Sequence, residues 1–219
     1  MHIQHFKKNE HGKDFVVGDI HGMFSLLDKE LIKIGFDFNR DRLFAVGDLV
    51  DRGPESDMFW DYLRTGWFFS VKGNHEQMVI DSVSDEYPNA AGNHAVNGGL
   101  WLYGLPEVEQ QCYAEIFKDL PLAIELETSS GLVGIIHAEV PLGDWDLFKS
   151  MYDSNKDRFD SIAMWARTKI TSKDSSTVKG IDRVYVGHTP LNEVNELGNV
   201  IYIGTGGCFS GGKLTILEV

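Results

Sequence analysis

Five short stretches of the chain put a carboxylate, an amide or an imidazole directly behind a run of apolar residues. Gly18-Asp19-Ile20-His21-Gly22 follows Phe15-Val16-Val17, and Gly47-Asp48-Leu49-Val50-Asp51-Arg52-Gly53 follows Leu43-Phe44-Ala45-Val46. Lys72-Gly73-Asn74-His75-Glu76 follows Trp67-Phe68-Phe69-Ser70-Val71. His137 follows Leu132-Val133-Gly134-Ile135-Ile136, and Gly187-His188-Thr189-Pro190 follows Val184-Tyr185-Val186. Oxygen donors mixed with imidazoles suit Mn²⁺, Fe or Zn²⁺ and suit Ca²⁺ or Cu(I) poorly. One ion cannot use so many ligands. Two ions about 3.5–4 Å apart can, if one carboxylate bridges them, and such pairs are typical of hydrolytic sites. Asp19 and His21, two residues apart, point to the same side of an extended segment and can share an ion. A single histidine of this kind reads as a hydrogen-bonded core or loop residue; five repeats of the arrangement argue for a site.

The elements that must position these residues are the apolar runs themselves. Aromatic and β-branched residues dominate them, as in buried strands, and two more such runs lie at 200–203 and 214–217. Between the early runs, Phe24, Leu27, Leu31 and Ile34 recur at helical spacing before Gly35, and Met58, Trp60, Tyr62 and Leu63 before Gly66. Strand alternating with helix predicts an α/β fold, in which ligands gather beyond the carboxyl ends of the strands. The five motifs are therefore expected to converge. Residues 140–180 are more polar and read as helices and loops, with an exposed loop at 173–177. No linker, repeat or low-complexity tract interrupts the chain, so one domain over residues 1–219 is expected.

Composition narrows the partners. The 219 residues carry 20 Lys+Arg against 33 Asp+Glu, a formal charge of −13, and the basic residues are scattered. Such a surface repels phosphate backbones and anionic membranes, which argues against nucleic acid or lipid as partner. No apolar run approaches the roughly 18 residues of a membrane span, and the first ten residues lack a signal-peptide stretch, so a cytoplasmic protein is expected. Cys112 and Cys208 match no metal or redox spacing and read as buried or incidental thiols. Outside the motifs, His2, His5, His11 and His94 read as surface or terminal residues. Trp60, Trp67, Trp101, Trp145 and Trp165 read as core, and Asn97-Gly98-Gly99 as a plain turn.

Taken together and in order, GDIHG (18–22), GDLVDRG (47–53), GNHE (73–76), IIHA around His137 and VGHTP (186–190) resemble the calcineurin-like metallophosphoesterases. Within them the chain is most similar to the compact phage-lambda-type serine/threonine phosphatases among the phosphoprotein phosphatases. The resemblance implies a four-layer αββα fold, a β-sandwich flanked by helices. It implies two divalent metal ions, Mn²⁺ foremost with Fe or Zn²⁺ as alternatives. Asp19 and His21 would bind the first, Asp48 would bridge, and Asn74, His137 and His188 would complete the second. Hydroxide shared by the ions would attack phosphorus in line, with His75 protonating the departing serine or threonine oxygen and Asp51 holding its ring. Arg52 would grip the phosphate oxygens with its planar fork, aided by Arg167 in Met164-Trp165-Ala166-Arg167. Phosphorylated proteins or peptides are the implied substrates; the rival with the same motifs is a hydrolase of dinucleoside polyphosphates such as diadenosine tetraphosphate. The chain departs from the family where Ile203-Gly204-Thr205-Gly206-Gly207 lacks the usual Asp of an Asp-Thr-Gly, and where a Gly-rich 206–212 replaces the Ser-Ala-Pro-Asn-Tyr-Cys loop of eukaryotic members.

Overall fold

In the computed structural model, which describes residues 2–219, the strands are β1 (Ile3–Phe6), β2 (Asp14–Val17), β3 (Arg42–Ala45), β4 (Phe68–Ser70), β5 (Ala123–Thr128), β6 (Gly131–Ile136), β7 (Arg183–Val186), β8 (Asn195–Leu197), β9 (Val200–Tyr202) and β10 (Ile216–Glu218). The helices are α1 (Phe24–Ile34), α2 (Phe59–Leu63), α3 (Asn74–Ser82), α4 (Ala90–Val96), α5 (Glu107–Asp119), α6 (Trp145–Trp165) and α7 (Thr168–Ser172). A four-stranded sheet runs β10-β2-β3-β4, with β2, β3 and β4 parallel and β10 antiparallel. A six-stranded sheet runs β1-β5-β6-β7-β9-β8; in it β6, β7 and β9 are parallel.

Period-two alternation along the strands explains the layers. Val16 and Phe44 turn to one face of the smaller sheet and meet Ile124, Leu126, Val133, Ile135, Tyr185 and Ile201 of the larger, forming the inside of a sandwich. Their neighbours Phe15, Val17, Leu43 and Ala45 turn the other way and pack against α1, α2, α3 and α5. On the outer face of the larger sheet, Ile136, Val184, Val186 and Tyr202 pack against the apolar side of α6 through Trp145, Phe148, Phe159 and Ala163. The result is a single-domain α/β fold of mixed sheets flanked by helices, in four layers. Gly35 ends α1 in the left-handed region (φ 72°), the stop expected from its place after the helical run.

Three strands carry weak sequence signals. In β5 the glutamates break any continuous apolar run, yet Glu125 is buried, its carboxylate accepting the Trp145 indole N–H and the Lys149 ammonium, each at 2.6 Å. β1 and β8 lie at sheet edges, and their adjacent polar residues, Gln4-His5 and Asn195-Glu196, put polar side chains on both faces. The loop at 173–177 is exposed as expected. Trp60 and Trp165, expected in the core, are 39% and 42% exposed. No helix among the described residues is long and apolar enough to cross a membrane.

Candidate active site

Backbone hydrogen bonds tie the five strand ends together. The amides of Ile20 and His21, after β2, donate to the Asp48 carbonyl after β3. After β7, the Gly187 amide donates to the His137 carbonyl and the His188 amide to the Asp19 carboxylate (2.9 Å), which joins the two sheets at this edge. Gly47 (φ 94°) sits where they meet: a Cβ there would lie 2.7 Å from the Gly73 nitrogen and 3.0 Å from the His137 ring. Among the described residues, five of the seven non-glycine residues in the left-handed region are His21, Asp48, Asp51, Arg52 and His188. Strain of about 1–3 kcal/mol each is thus concentrated in the loops that aim these side chains.

Each of three imidazoles has one nitrogen fixed by a backbone carbonyl, which can only accept, so that nitrogen carries the proton. His21 Nδ1–H donates to Val50 (3.0 Å), His137 Nδ1–H to Val46 (2.8 Å) and His188 Nε2–H to Trp165 (3.2 Å). Burial pushes His21 and His188 down to about 3, so both are neutral at pH 7. The remaining lone pairs converge. His137 Nε2 and His188 Nδ1 each lie 2.9 Å from the Asn74 Oδ1, and His137 Nε2 lies 3.4 Å from the Asp48 Oδ1. His21 Nε2 lies 3.6 Å from the Asp48 Oδ2 and also meets the Arg52 guanidinium.

Lone pairs facing one another at such distances repel unless a cation lies between them. Donors about 2.1 Å from one ion and at right angles to each other are about 3.0 Å apart, so the spacing matches ligands around a common centre. Two groups of three donors have their ligating atoms within 4.8 Å of one another, His21–Asp48–His75 and Asp48–His137–His188, and Asp48 belongs to both. Burial alone would raise the Asp48 carboxyl, but His137, His75 and His21 bring it well below the usual carboxylate range. Asp19 behaves oppositely, raised by burial and by the nearby Asp48 charge. Oxygen donors mixed with neutral imidazoles suit divalent ions; His21, Asp48, His137 and His188 belong to the two groups, and beside them Asn74 Oδ1 lies 2.9 Å from His137 and His188 while Asp19 Oδ1 accepts the His188 amide.

His75 differs from the other three. Its Nδ1–H is held by the Asp51 carboxylate at 2.6 Å rather than by a carbonyl, and its Nε2 points towards Asp48 Oδ2 at 3.9 Å. Burial would lower its pKa, but Asp48 and the bond to Asp51 outweigh burial and raise it above the ordinary histidine value. The imidazolium is thus favoured. Both arginines sit at the exposed rim: Arg52 contacts His21 and lies 5.4 Å over the Phe209 ring, and Arg167 donates to the His188 carbonyl at 3.3 Å.

Three further residues carry no sign of their role in the sequence pattern. His94, expected at the surface, is fully buried and donates through Nε2–H to the second oxygen of Asp51 at 2.9 Å. Trp101 donates its indole N–H to the same oxygen at 2.7 Å. Glu76 at the start of α3 is buried and accepts the amides of Asp48, Leu49 and Gly73, so it fixes the loop that carries Asp48. The turn at 97–99 is more than a plain connection, because its Gly98 carbonyl accepts the Arg52 amide and so supports the loop that carries Arg52.

A model of the calcineurin-like phosphoesterase family matches residues 15–196. The chain belongs to that family. Over 94% of its length this phosphoesterase is 35% identical to serine/threonine-protein phosphatase 1 of Salmonella typhimurium, of which 91% is covered. The symmetrical bis(5'-nucleosyl)-tetraphosphatase of Methylococcus capsulatus is 26% identical over 77% of this chain and 66% of its own. A solved structure with the provisional name diadenosine tetraphosphatase superposes with a TM-score of 0.63 at 22% identity, covering 99% of this chain and 97% of its own, and shares the fold. The position where the phosphoesterase lacks the expected Asp now has a physical reason. A Cβ on Gly204 would lie 2.5 Å from Asp19 Oδ2, so any side chain there displaces a candidate ligand. The two cysteines are free; Cys112 is exposed and Cys208 half-buried, so neither is a buried thiol.

Proposed function

We propose that this phosphoesterase removes phosphate from phosphoserine and phosphothreonine in proteins, using two divalent ions, with Mn²⁺ the ion in the active protein. We also propose that residues 1–219 act as one such domain, in the cytoplasm, on protein or peptide substrates rather than on nucleic acid or membranes. The observation that carries the reading is the pair of donor groups sharing Asp48, one of which contains His75, the histidine whose other nitrogen is held by Asp51. In this reading Asp19, His21, Asp48, Asn74, His137 and His188 hold the metals. Bound there, they supply Lewis-acid activation of water and neutralise charge developing on the phosphoryl group. Arg52 and Arg167, one beside His21 and the other beside His188, orient the phosphoryl oxygens. His75 gives its Nε2 proton to the departing oxygen, and Asp51 keeps the ring charged and oriented. With ions and arginines the cleft is positive although the chain totals −13, which admits a small exposed phosphoryl group and disfavours polyanions elsewhere on the surface.

The preference for phosphoprotein over dinucleoside polyphosphate rests on extent of match: 91% of the Salmonella protein phosphatase against 66% of the Methylococcus tetraphosphatase. A side-by-side assay with Mn²⁺ should give a kcat/KM roughly tenfold or more higher for a phosphoserine peptide than for diadenosine tetraphosphate. Preference for the nucleotide overturns the protein-phosphatase reading.

A further inference from the structure

We infer that His94 and Trp101 are positioning residues for proton delivery to the leaving group, acting through Asp51 on the ring of His75; this rests on the phosphatase reading above. Asp51 is fully buried, in the left-handed region (φ 72°), and takes three N–H donors on its two oxygens. His75 holds Oδ2, while His94 and Trp101 share Oδ1, from 43 and 50 residues further along the chain. A carboxylate with one partner turns easily about its broad terminal torsion. Donors on both oxygens fix the plane of the Asp51 carboxylate and with it the direction of the His75 Nε2–H.

The surroundings are built to keep His94 in place. Its Nδ1 lies 3.0 Å from the Tyr103 hydroxyl, which also reaches the Ala91 carbonyl at 3.0 Å. Its ring lies against Gly99, where a Cβ would come within 2.2 Å of Nε2. None of these residues reaches the donor cluster. Their direct side-chain contact with the proton-transfer machinery is through Asp51.

In the step they govern, the attacking water gives up one proton to solvent and its oxygen bonds to phosphorus. The phosphorus–oxygen bond to serine breaks, and the His75 proton passes to the serine oxygen. His75 is left neutral, Asp51 keeps its charge, and solvent later reprotonates the ring. A misdirected N–H slows this transfer most when the leaving oxygen is strongly basic.

Trp101→Phe keeps the ring and removes the donor; His94→Leu removes the other donor; His94→Gln restores one. The measurements are kcat and KM with Mn²⁺ on a phosphoserine peptide and on p-nitrophenyl phosphate, together with bound metal per chain. Trp101→Phe and His94→Leu should lower kcat on the peptide by about 10–100-fold, as for a reacting group displaced by part of an ångström. The fall on p-nitrophenyl phosphate should be several times smaller, KM should stay within about twofold, and two metals should remain bound. His94→Gln should recover part of the loss. An equal fall on both substrates, loss of metal, or unchanged kcat in Trp101→Phe overturns the inference. His75→Asn is run alongside: if it also lacks a leaving-group split, the general-acid reading fails; if it shows the split and Trp101→Phe does not, only this inference fails.

Discussion

His75→Asn should keep both metal ions and lose about 10²–10⁴ in kcat on phosphoserine peptides, the usual contribution of a positioned general acid. Asparagine can still donate to Asp51, so the dyad is not left with an unpaired buried carboxylate. What disappears is the proton on Nε2. The loss should shrink on p-nitrophenyl phosphate, whose leaving group needs little protonation, so the two substrates separate chemistry from binding. The contrast among the histidines motivates this expectation. His21, His137 and His188 each lean on a carbonyl and aim a lone pair inward, whereas His75 leans on a carboxylate. Metal analysis of the variant is the check: if both ions are lost with His75, it is a ligand and the acid has been assigned to the wrong residue.

Asp48→Asn should have the opposite profile. Asp48 is common to both donor groups, with Oδ1 towards His137 and Oδ2 towards His21 and His75. The substitution keeps the shape but removes a negative charge and one ligating oxygen from the middle of the cluster. Residues that merely support a ligand cost about 10–100-fold in metal affinity when altered, so a shared ligand should cost more than that for both ions together. Activity should fall with metal content on both substrates alike. Titration calorimetry with Mn²⁺ decides: two tightly bound ions in Asp48→Asn contradict a bridging role.

The candidate ligands were legible because each motif is local, a ligand within five residues of an apolar run, with a glycine turn between them in all but the His137 motif, as in Val17-Gly18-Asp19-Ile20-His21. The strands beneath them were legible for the same reason. His94 and Trp101 were not, because what they do is set by a contact with Asp51 across 43 and 50 residues, and no local pattern marks it. Glu76 stood in plain view inside GNHE, but its capture of three amides from two different loops appears only when α3 is docked against the ends of β3 and β4. Strand β5 was hidden because Glu125 and Glu127 deny it the continuous apolar run that marks the other strands, and the distant Trp145 and Lys149 are what make the burial of Glu125 tolerable. Gly204 shows the reverse case. The departure was evident in the sequence, while its reason, the Asp19 carboxylate filling the space, is purely three-dimensional.

The dependence of catalysis on two bound ions is tested most directly by stripping the protein of metal and following phosphate release from a phosphoserine peptide as Mn²⁺ is titrated back, with bound metal counted on the same samples. Activity should be absent in the stripped protein and should rise to its plateau as two ions per chain are bound. Hydrolysis that survives chelation, or none at any Mn²⁺ occupancy, contradicts a two-metal phosphatase.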